Sequence, residues 1–396
     1  MSGENKSKVP KRERGDGCIY KRKDDTWTAR IQIGTKADGK PKIKAFYGKS
    51  EAEVKRKLKA FKQDIRNLSS ADIKKVTLEV YILNWLNSYK INTLKSSSFD
   101  RLERTVQNQI IPELGYLQIA TIVPDDIQRF LNKLYRDGNS HSVVKKVYNA
   151  LNGCMEHAVI KGDIVKNPML GVNMIPESKF HTRQISFLTE DEVKLLKQEL
   201  NRTYKNGKPI YVYADAYILI LNTGLRMGEA LGLKWSDINF EDRTVHIQRN
   251  ISMIVNRSRE DGEPKYILKI EESVKTKSGN RVVPLNSNAI LALNNLKKNN
   301  MGEFVITNTQ GKIVPPHNFE RTFKRALSNC GIEKDGGVHM LRHTFATLLL
   351  RRQSGDMDIK TLSKILGHRD TAITYNTYIH VIGEQKRCLV DKLDNI

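Results

Sequence analysis

The sequence of 396 residues predicts a multidomain chain, in which a small β-sheet domain, an all-α domain and a mainly-α domain with a small antiparallel β-sheet follow one another. Three observations support this fold class. Strand-like alternation precedes residue 50, helical periodicity runs from residue 78 to 168, and both patterns mix beyond residue 187. We therefore expect domains over residues 1–70, 75–170 and 185–396, with linkers near residues 68–77 and 169–186.

The N-terminal domain is predicted to be a three-stranded β-sheet packed on one helix. The segments "GCIYKR", "WTARIQIG" and "PKIKAFYG" alternate as strands do, and the Asp-Gly pair in "KADGK" signals a hairpin between the last two. Ser50 and Glu53 have the spacing of a capping box. Val54, Leu58 and Phe61 then recur at helical spacing, which predicts the helix.

The positive charge of the chain predicts a nucleic acid partner. Lys and Arg total 67 against 44 Asp and Glu, which gives a net charge of +23 and a pI of about 9.7. Residues 1–70 hold 20 basic and 9 acidic residues, so nearly half of the net charge lies there. A basic sheet face fits the major groove of DNA, although the same charges could serve only to keep the surface solvated. The candidate DNA contacts are Lys21, Arg22, Trp27, Arg30, Lys42 and Lys44 in this domain and Lys145 and Lys146 in the next.

The middle domain is predicted from four helical segments. They are "LEVYILNWLNSY", "SFDRLERTVQNQIIPEL", "PDDIQRFLNKLYRDG" and "HSVVKKVYNALNGCMEHAVIKG", and Gly162 and Pro168 mark the end of the domain. Four scattered cysteines indicate neither a zinc site nor a disulfide framework, and a reducing cytoplasm fits best. No signal peptide or long apolar run is visible, so we expect no membrane association.

The C-terminal domain is predicted to be mixed. Thr189 and Glu192 form another capping box, and "YADAYILILNTGLRMGEALGLKW" predicts a helix, a glycine break and a second helix. The segments "TVHIQRNIS", "KYILKI" and "RVVPL" predict the strands of the small antiparallel sheet.

Basic side chains occur in this domain at positions where solubility alone does not require them. In "NTGLRMGEALGLKW", Arg226 heads an apolar helix, and Glu229 is placed to hold its guanidinium. In "GGVHMLRHTFATLLL", His339 and Arg342 share a helix face ahead of an apolar stripe. The predicted stripe consists of Phe345, Leu348 and Leu349. An imidazole beside a guanidinium suits an anionic target such as a phosphate or a carboxylate.

Two further segments add a lysine hairpin and a tyrosine. "SVKTKSGNRVVPL" puts Lys275 and Lys277 on a predicted hairpin, and "LGHRDTAITYNTYIHV" supplies His368, Tyr375 and Tyr378. Taken singly, each of these residues has an ordinary structural explanation, such as a salt bridge, a helix cap or a place in the core.

Taken together, these residues resemble the active-site pattern of the tyrosine recombinase (phage-type integrase) family. That pattern has an Arg in "TGLRxGE", a hairpin Lys, a His-x-x-Arg, an "LGH" histidine and a Tyr in "Y-x-H". The matching residues are Arg226, His339, Arg342, His368 and Tyr378. Lys275 precedes a Thr, as the lysine of the family often does, and is preferred to Lys277. Tyr375 lacks the "Y-x-H" context and is interpreted as structural, and His343 is interpreted as packing or bonding locally.

The resemblance implies a chemistry for each position. Tyr378 would attack a DNA phosphodiester, giving a 3′-phosphotyrosyl link and a free 5′-hydroxyl, so that rejoining needs neither ATP nor a cofactor. Arg226 and Arg342 would hold the non-bridging oxygens in place of a metal ion. The other roles follow the same resemblance: His368 donates a hydrogen bond, His339 accepts the tyrosine proton or orients the phosphate, Lys275 protonates the leaving oxygen, and Glu229 orients Arg226.

The resemblance also implies the partners and the setting. The N-terminal domain is similar to arm-site DNA-binding domains of long integrases, and the middle domain to core-binding domains. We expect double-stranded DNA with core and arm attachment sites, a tetramer on two duplexes, an excision factor and a host DNA-bending protein. The setting would be the nucleoid of a bacterium that carries a temperate phage or a conjugative transposon. The alternatives are a type IB topoisomerase and a non-catalytic DNA-binding regulator.

Overall fold

The computed structural model describes residues 18–22, 26–35, 41–66, 76–181, 185–260, 262–272, 279–298, 300, 302–352 and 359–379. The chain divides into two compact units, residues 1–182 and 183–396. Within the described residues, no helix has both the length and the apolar character needed to cross a bilayer.

The first unit begins with the small sheet that the alternating pattern predicts. Strands β1 (Cys18–Lys21), β2 (Trp27–Thr35) and β3 (Pro41–Gly48) pair antiparallel in that order, and helix α1 (Glu51–Arg66) follows. The backbone N–H of Glu53 donates to Ser50 Oγ at 3.2 Å, as expected for the start of this helix. Val54 and Leu58 of α1 pack on Ala29 of β2 and form a small core. The predicted turn "KADGK" lies outside the described residues.

The remainder of the first unit is mostly helical, as predicted. Helix α2 (Leu78–Trp85) continues into a π-helical turn, Leu86–Lys90. Helix α3 (Ser96–Thr105) continues through a second such turn, Val106–Ile110, into α4 (Ile111–Leu114). Helices α5 (Pro124–Arg136) and α6 (His141–Ile160) complete the set, and their apolar faces share one core with α2 and α3.

The second unit is mixed and mainly helical. Its helices are α7 (Glu190–Leu200), α8 (Ala214–Thr223), α9 (Met227–Leu231), α10 (Ser287–Lys298), α11 (Pro316–Asn329), α12 (His339–Arg352), α13 (Ile359–Leu366) and α14 (residues 371–379). Its strands are β4 (Ile238–Asn239), β5 (Thr244–Ile247), β6 (Asn250–Val255), β7 (Tyr266–Glu271) and β8 (Arg281–Pro284). Thr189 Oγ1 accepts from the N–H of Glu192, so the predicted capping box starts α7.

The prediction of one small sheet in this unit is wrong in detail, because the strands form two sheets. Strands β4, β5 and β8 make one, and β6 and β7 make the other. The segment "TVHIQRNIS" was predicted as a single strand, but it breaks at Gln248 and Arg249. Both side chains turn to the buried carboxylate of Asp237, at 3.1 and 2.6 Å, and the backbone leaves the first ladder there.

The glycine break before Arg226 is confirmed. Helix α8 ends at Gly224, whose φ of +66° is in the left-handed region that favours glycine. A Cβ at this position would lie 2.5 Å from a ring carbon of Phe345, so α12 passes close to the break. The predicted apolar stripe on α12 is only partly correct. Phe345, Leu348 and Leu349 are half-buried, whereas the fully buried apolar positions include Leu341, Ala346 and Leu350.

Candidate active site

The end of α8 and the start of α9 position Arg226. Arg226 is the residue before α9, and its Nη1 donates to Glu229 Oε1 at 2.7 Å, while its backbone N–H donates to Glu229 Oε2 at 2.9 Å. Nη2 of Arg226 donates to the carbonyl of Gly367 at 3.2 Å. The buried carboxylate therefore fixes both ends of Arg226, and the guanidinium reaches the loop that follows α13.

Arg342 meets the same loop from α12. Its Nη1 donates to the carbonyl of Gly224 at 2.8 Å, and its Nη2 donates to the carbonyl of Leu366 at 2.7 Å. Nη2 also lies 2.9 Å from His368 Nε2, and His368 Nδ1 lies 2.7 Å from Thr374 Oγ1. The direction of both contacts depends on the tautomer of His368. With the proton on Nδ1, the ring accepts from Arg342 and donates to the threonine. With the proton on Nε2, the threonine hydroxyl donates to Nδ1, and Nε2–H is available to donate to an oxygen of bound DNA.

Arg281 also reaches the carboxylate of Glu229, although the sequence analysis did not single it out. Its Nη2 lies 2.9 Å from Glu229 Oε2 and its Nη1 lies 3.2 Å from Oε1, while Nε donates to the carbonyl of Ile365 at 2.6 Å. Arg281 opens β8 and is buried. The carboxylate of Glu229 is therefore shared by two arginines, and both also bond to the end of α13 or the loop beyond it.

Tyr378 lies on α14 with its ring buried against α12 and α13. It belongs to an apolar cluster with Ala346, Leu350, Leu362 and Leu366, and its side chain is only 1% exposed. Its Oη lies 3.0 Å from Nδ1 of His343, the residue after Arg342. Tyr375 is 37% exposed and does not belong to this cluster.

His339 is exposed at the first turn of α12, and its ring contacts that of His343. The two ring centroids are 4.8 Å apart, and the planes are nearly perpendicular at 89°. The helix therefore carries His339, Arg342 and His343 within one turn and a third, as the sequence spacing requires.

Burial and positive charge keep the histidines of this cluster neutral at neutral pH. Desolvation and the charges of Arg342 and Arg226 lower the pKa of His368 to about 4. Desolvation and then Arg342 lower the pKa of His343 to about 4. The pKa of exposed His339 also falls to about 4, through partial desolvation and the nearby His343 and Arg342.

The two oxygen acids respond in opposite directions. Burial acts to raise the pKa of Glu229, but hydrogen bonding to Arg281 and the charges of Arg281 and Arg226 outweigh it, and the pKa falls to about 2. Burial raises the pKa of Tyr378 to about 12, although Arg342 opposes the change. Glu229 is therefore a permanent anion at neutral pH, and Tyr378 is a protonated phenol.

The remaining predicted site residues are the hairpin lysines and the candidate DNA contacts. Lys275 and Lys277 fall outside the described residues. In the first unit, Arg22 lies over the ring of Tyr47 and Arg30 over that of Tyr20, each at 5.5 Å from the ring centroid. Lys21 is exposed at the end of β1, Lys145 and Lys146 are exposed on α6, and Lys42 and Lys44 lie on β3.

Trp27 occupies the other face of the small sheet. It lies three residues from Arg30 on the same strand, so the two side chains point in opposite directions. Its half-buried indole packs against the core formed by Ala29, Val54 and Leu58. Trp27 therefore faces helix α1 rather than the side that carries Arg30.

The sequence patterns do not single out Arg281, and they predict only local packing or bonding for His343. Arg281 stands at the start of "RVVPL", where an arginine before an apolar strand is a weak sign of a buried partner. His343 directly follows Arg342, so its place in "LRHTFAT" was the available signal.

Comparison with known proteins assigns the chain to a family. The model of the phage integrase family matches residues 186–384, and the model of the phage integrase N-terminal SAM-like domain matches residues 77–135. The tyrosine recombinase XerC-like protein of Caldanaerobacter subterraneus subsp. tengcongensis is 32% identical over 386 residues, which cover 92% of this chain and 95% of that protein.

Solved structures agree on the fold. The integrase of the transposon Tn1549, solved with transposon right end DNA, has a TM-score of 0.63 at 21% identity and covers 81% of this chain and 100% of its own. The lambda integrase tetramer bound to a Holliday junction has a TM-score of 0.57 at 17% identity and covers 93% and 96%.

The fold, the clustered arginines and histidines, and these matches define a tyrosine recombinase, an enzyme of site-specific DNA recombination. The chain belongs to the phage integrase family. This membership favours a recombinase over the two alternatives, a type IB topoisomerase and a non-catalytic regulator.

Proposed function

We propose that the chain integrates and excises a mobile genetic element by cleaving DNA with Tyr378, while Arg226, Arg342 and His368 hold the scissile phosphate. One observation carries the proposal. Arg226 and Arg342 come from different helices, yet they bond to the neighbouring carbonyls of Gly367 and Leu366. His368 is the next residue and contacts Arg342. Two guanidinium groups and an imidazole thus converge on one short loop.

This convergence suits phosphoryl transfer. The transition state carries negative charge on the non-bridging oxygens, and positive groups fixed in advance stabilise it without reorganisation. Arginine is suited to this task because its planar fork stays charged and matches the geometry of phosphate oxygens. Glu229 and the loop carbonyls hold the forks before DNA arrives, so these residues position the charge.

The remaining roles are assigned by resemblance. Lys275, with Lys277 as the alternative, protonates the leaving 5′-oxygen, since an ammonium group can release a proton to it. His339, exposed beside Arg342, contacts the phosphate. The covalent phosphotyrosine conserves the energy of the broken bond, so rejoining requires no ATP or cofactor.

Tyr378 is assigned as the nucleophile in preference to Tyr375. Support comes from its hydroxyl, which lies 3.0 Å from an imidazole nitrogen next to Arg342. The ring of Tyr378 also packs against α12, the helix that carries Arg342. Tyr375 is partly exposed on α14 and lies outside the apolar cluster that holds the ring of Tyr378.

We further propose that the N-terminal sheet binds arm sites and that the helices of residues 75–170 bind core sites. Support comes from Arg22 and Arg30, which lie over aromatic rings on one face of the sheet, and from the exposed Lys145 and Lys146. Four protomers act on two duplexes, because each tyrosine cuts one strand and two duplexes need four cuts. We also propose that residues 382–396, which lie outside the described residues, contact a neighbouring protomer. An excision factor, a host DNA-bending protein and the bacterial nucleoid complete the proposed setting.

A covalent-trapping assay tests the proposal. The full chain is incubated with fragments of candidate attachment DNA that carry a nick near the crossover, and adducts that survive denaturant are counted. Wild type and Tyr375→Phe are expected to form the adduct in EDTA, whereas Tyr378→Phe is expected to bind the DNA without forming it. An adduct that persists in Tyr378→Phe would overturn the assignment of the nucleophile. Tight binding without any wild-type adduct would favour the non-catalytic regulator.

A further inference from the structure

Among the side-chain contacts of the described residues, only His343 lies within hydrogen-bonding distance of the Tyr378 hydroxyl. The family pattern assigns no role to His343. Its Nδ1 lies 3.0 Å from Oη, within the 2.6–3.2 Å that proton transfer from a hydroxyl requires. We propose that His343 is a catalytic residue, which holds the Tyr378 hydroxyl and takes its proton as the tyrosine attacks DNA. This proposal rests on the proposed function, in which Tyr378 is the nucleophile.

The packing of α12 fixes this contact. His343, Ala346 and Leu350 follow one face of the helix, and the ring of Tyr378 packs in the same apolar cluster as Ala346 and Leu350. The phenol therefore lies along this face, with its hydroxyl at His343. The helix is anchored next to the histidine, because Thr344 Oγ1 accepts from the backbone N–H of Leu188 at 2.8 Å. A base held by a rigid helix keeps the geometry that proton transfer needs.

The protonation states are those required of an acid–base pair. Tyr378 is a phenol at neutral pH, because burial raises its pKa to about 12, so its attack needs a proton acceptor. His343 is neutral, because burial and Arg342 lower its pKa to about 4, so Nδ1 has a free lone pair when the proton is on Nε2. The groups that face His343 are Arg342 and His339 on its own helix and Tyr378 on α14.

Bound DNA would strengthen this base. A phosphodiester anion beside Arg342 would offset the positive charge that lowers the pKa of His343. The imidazole therefore becomes a better proton acceptor when the substrate is present. His339, the other histidine on this helix, contacts the His343 ring edge-on. Because His339 is exposed, it is accessible to the phosphate of bound DNA, which is the role that the proposed function assigns to it.

The bond from Tyr378 Oη to phosphorus forms, the bond from phosphorus to the 5′-oxygen breaks, and the tyrosine proton moves to His343 Nδ1. The leaving oxygen takes its proton from a different donor, which the proposed function assigns to Lys275 or Lys277. On rejoining, the 5′-hydroxyl gives its proton back to the neutral lysine as its oxygen bonds to phosphorus. The bond from phosphorus to Tyr378 Oη breaks, and His343 returns its proton to the tyrosine oxygen.

Single-turnover adduct formation by the full chain tests this role. His343→Asn keeps an acceptor oxygen near the position of Nδ1 but cannot take a proton, and His343→Gln is a second variant in case the first unfolds. Two DNA substrates are compared, one with the natural linkage and one with sulfur in place of the bridging 5′-oxygen, a leaving group that needs no protonation. His317→Asn is the matched control, because His317 is an exposed residue in the first turn of α11.

We expect His343→Asn to bind DNA as wild type does and to form the adduct about 10²–10⁴ times more slowly on both substrates. Its rate should also lose the acid limb of the wild-type pH profile. Variants of the leaving-group lysine should instead recover on the sulfur substrate. A His343→Asn rate within about threefold of wild type, or its recovery on the sulfur substrate, would overturn the role of His343. Absence of an adduct with wild type would contradict the proposed function itself.

Discussion

Arg281→Met tests whether the shared carboxylate of Glu229 holds the site together. The substitution keeps most of the side-chain length and apolar volume but removes two contacts to Glu229, at 2.9 and 3.2 Å, and the bond to the carbonyl of Ile365 at 2.6 Å. Removing one partner of a buried ion pair costs about 3–5 kcal/mol. Arg226 still pairs with Glu229 at 2.7 Å, so we expect the lower end, about 3 kcal/mol.

Scanning calorimetry of the full chain measures this loss. For a unit of this size, about 3 kcal/mol corresponds to a fall of about 6–12 °C in the Tm of the second unit. Lys194→Met is the control, because Lys194 and its partner Asp191 are 70% and 87% exposed, and its Tm should change by no more than about 2 °C. The reasoning is refuted if Arg281→Met unfolds at the temperature of the control.

Arg281→Met should also change how the stability of the second unit depends on pH, because Arg281 lowers the pKa of Glu229. Its pKa in the folded protein is about 2, below the ordinary value of 4.5. The stability that it contributes is therefore complete above pH 4.5 and is lost as the pH falls towards 2. Without Arg281 the folded pKa should rise towards the ordinary value, so Arg281→Met should lose less additional stability than wild type in that interval.

Three other predictions concern the same region. Acidification from pH 7 to 5 should lower the free energy of unfolding of the second unit, measured in urea titrations, by about 1–2 kcal/mol for each of His343 and His368. The reason is that their pKa values of about 4 in the folded protein lie below the unfolded value of about 6.5. His343→Asn should remove the contribution of His343 to this pH dependence. An unchanged pH dependence in His343→Asn would contradict that assignment. Gly224→Ala should lower the free energy of unfolding by about 3 kcal/mol, because φ at this position is +66° and the new Cβ would lie 2.5 Å from the ring of Phe345. A Tm equal to that of wild type would refute this expected loss. Thr374→Val should slow adduct formation without weakening DNA binding, because Thr374 Oγ1 lies 2.7 Å from His368 Nδ1, and an unchanged rate would remove the orienting role.

Local rules predicted a large part of the fold. The three strands before residue 50, the capping residues Ser50 and Thr189, and the break at Gly224 all follow from short-range patterns and were found where expected. Each depends on neighbours within a few residues, such as the hydroxyl that accepts from the third N–H of a helix. The family pattern likewise identified Arg226, Arg342 and His368, which the fold brings to one loop.

The features that the sequence did not predict depend on contacts between residues that are distant in the chain. The break between β5 and β6 depends on Asp237, whose buried carboxylate draws in Gln248 and Arg249. Arg281 resembles an ordinary strand residue until β8 meets Glu229, which lies 52 positions earlier. His343 likewise gains its partner only because α14 lays Tyr378 along α12, an arrangement that helical periodicity does not specify.

Identification of the tyrosine that becomes joined to DNA tests the central claim most directly. Wild-type adduct on nicked attachment DNA is digested with nuclease and protease, and the peptide that carries the residual nucleotide is sequenced by mass spectrometry. We expect a 3′-phosphonucleotide on Tyr378, in the peptide that contains "NTYIH". A nucleotide on Tyr375, or on any residue outside α14, would contradict it.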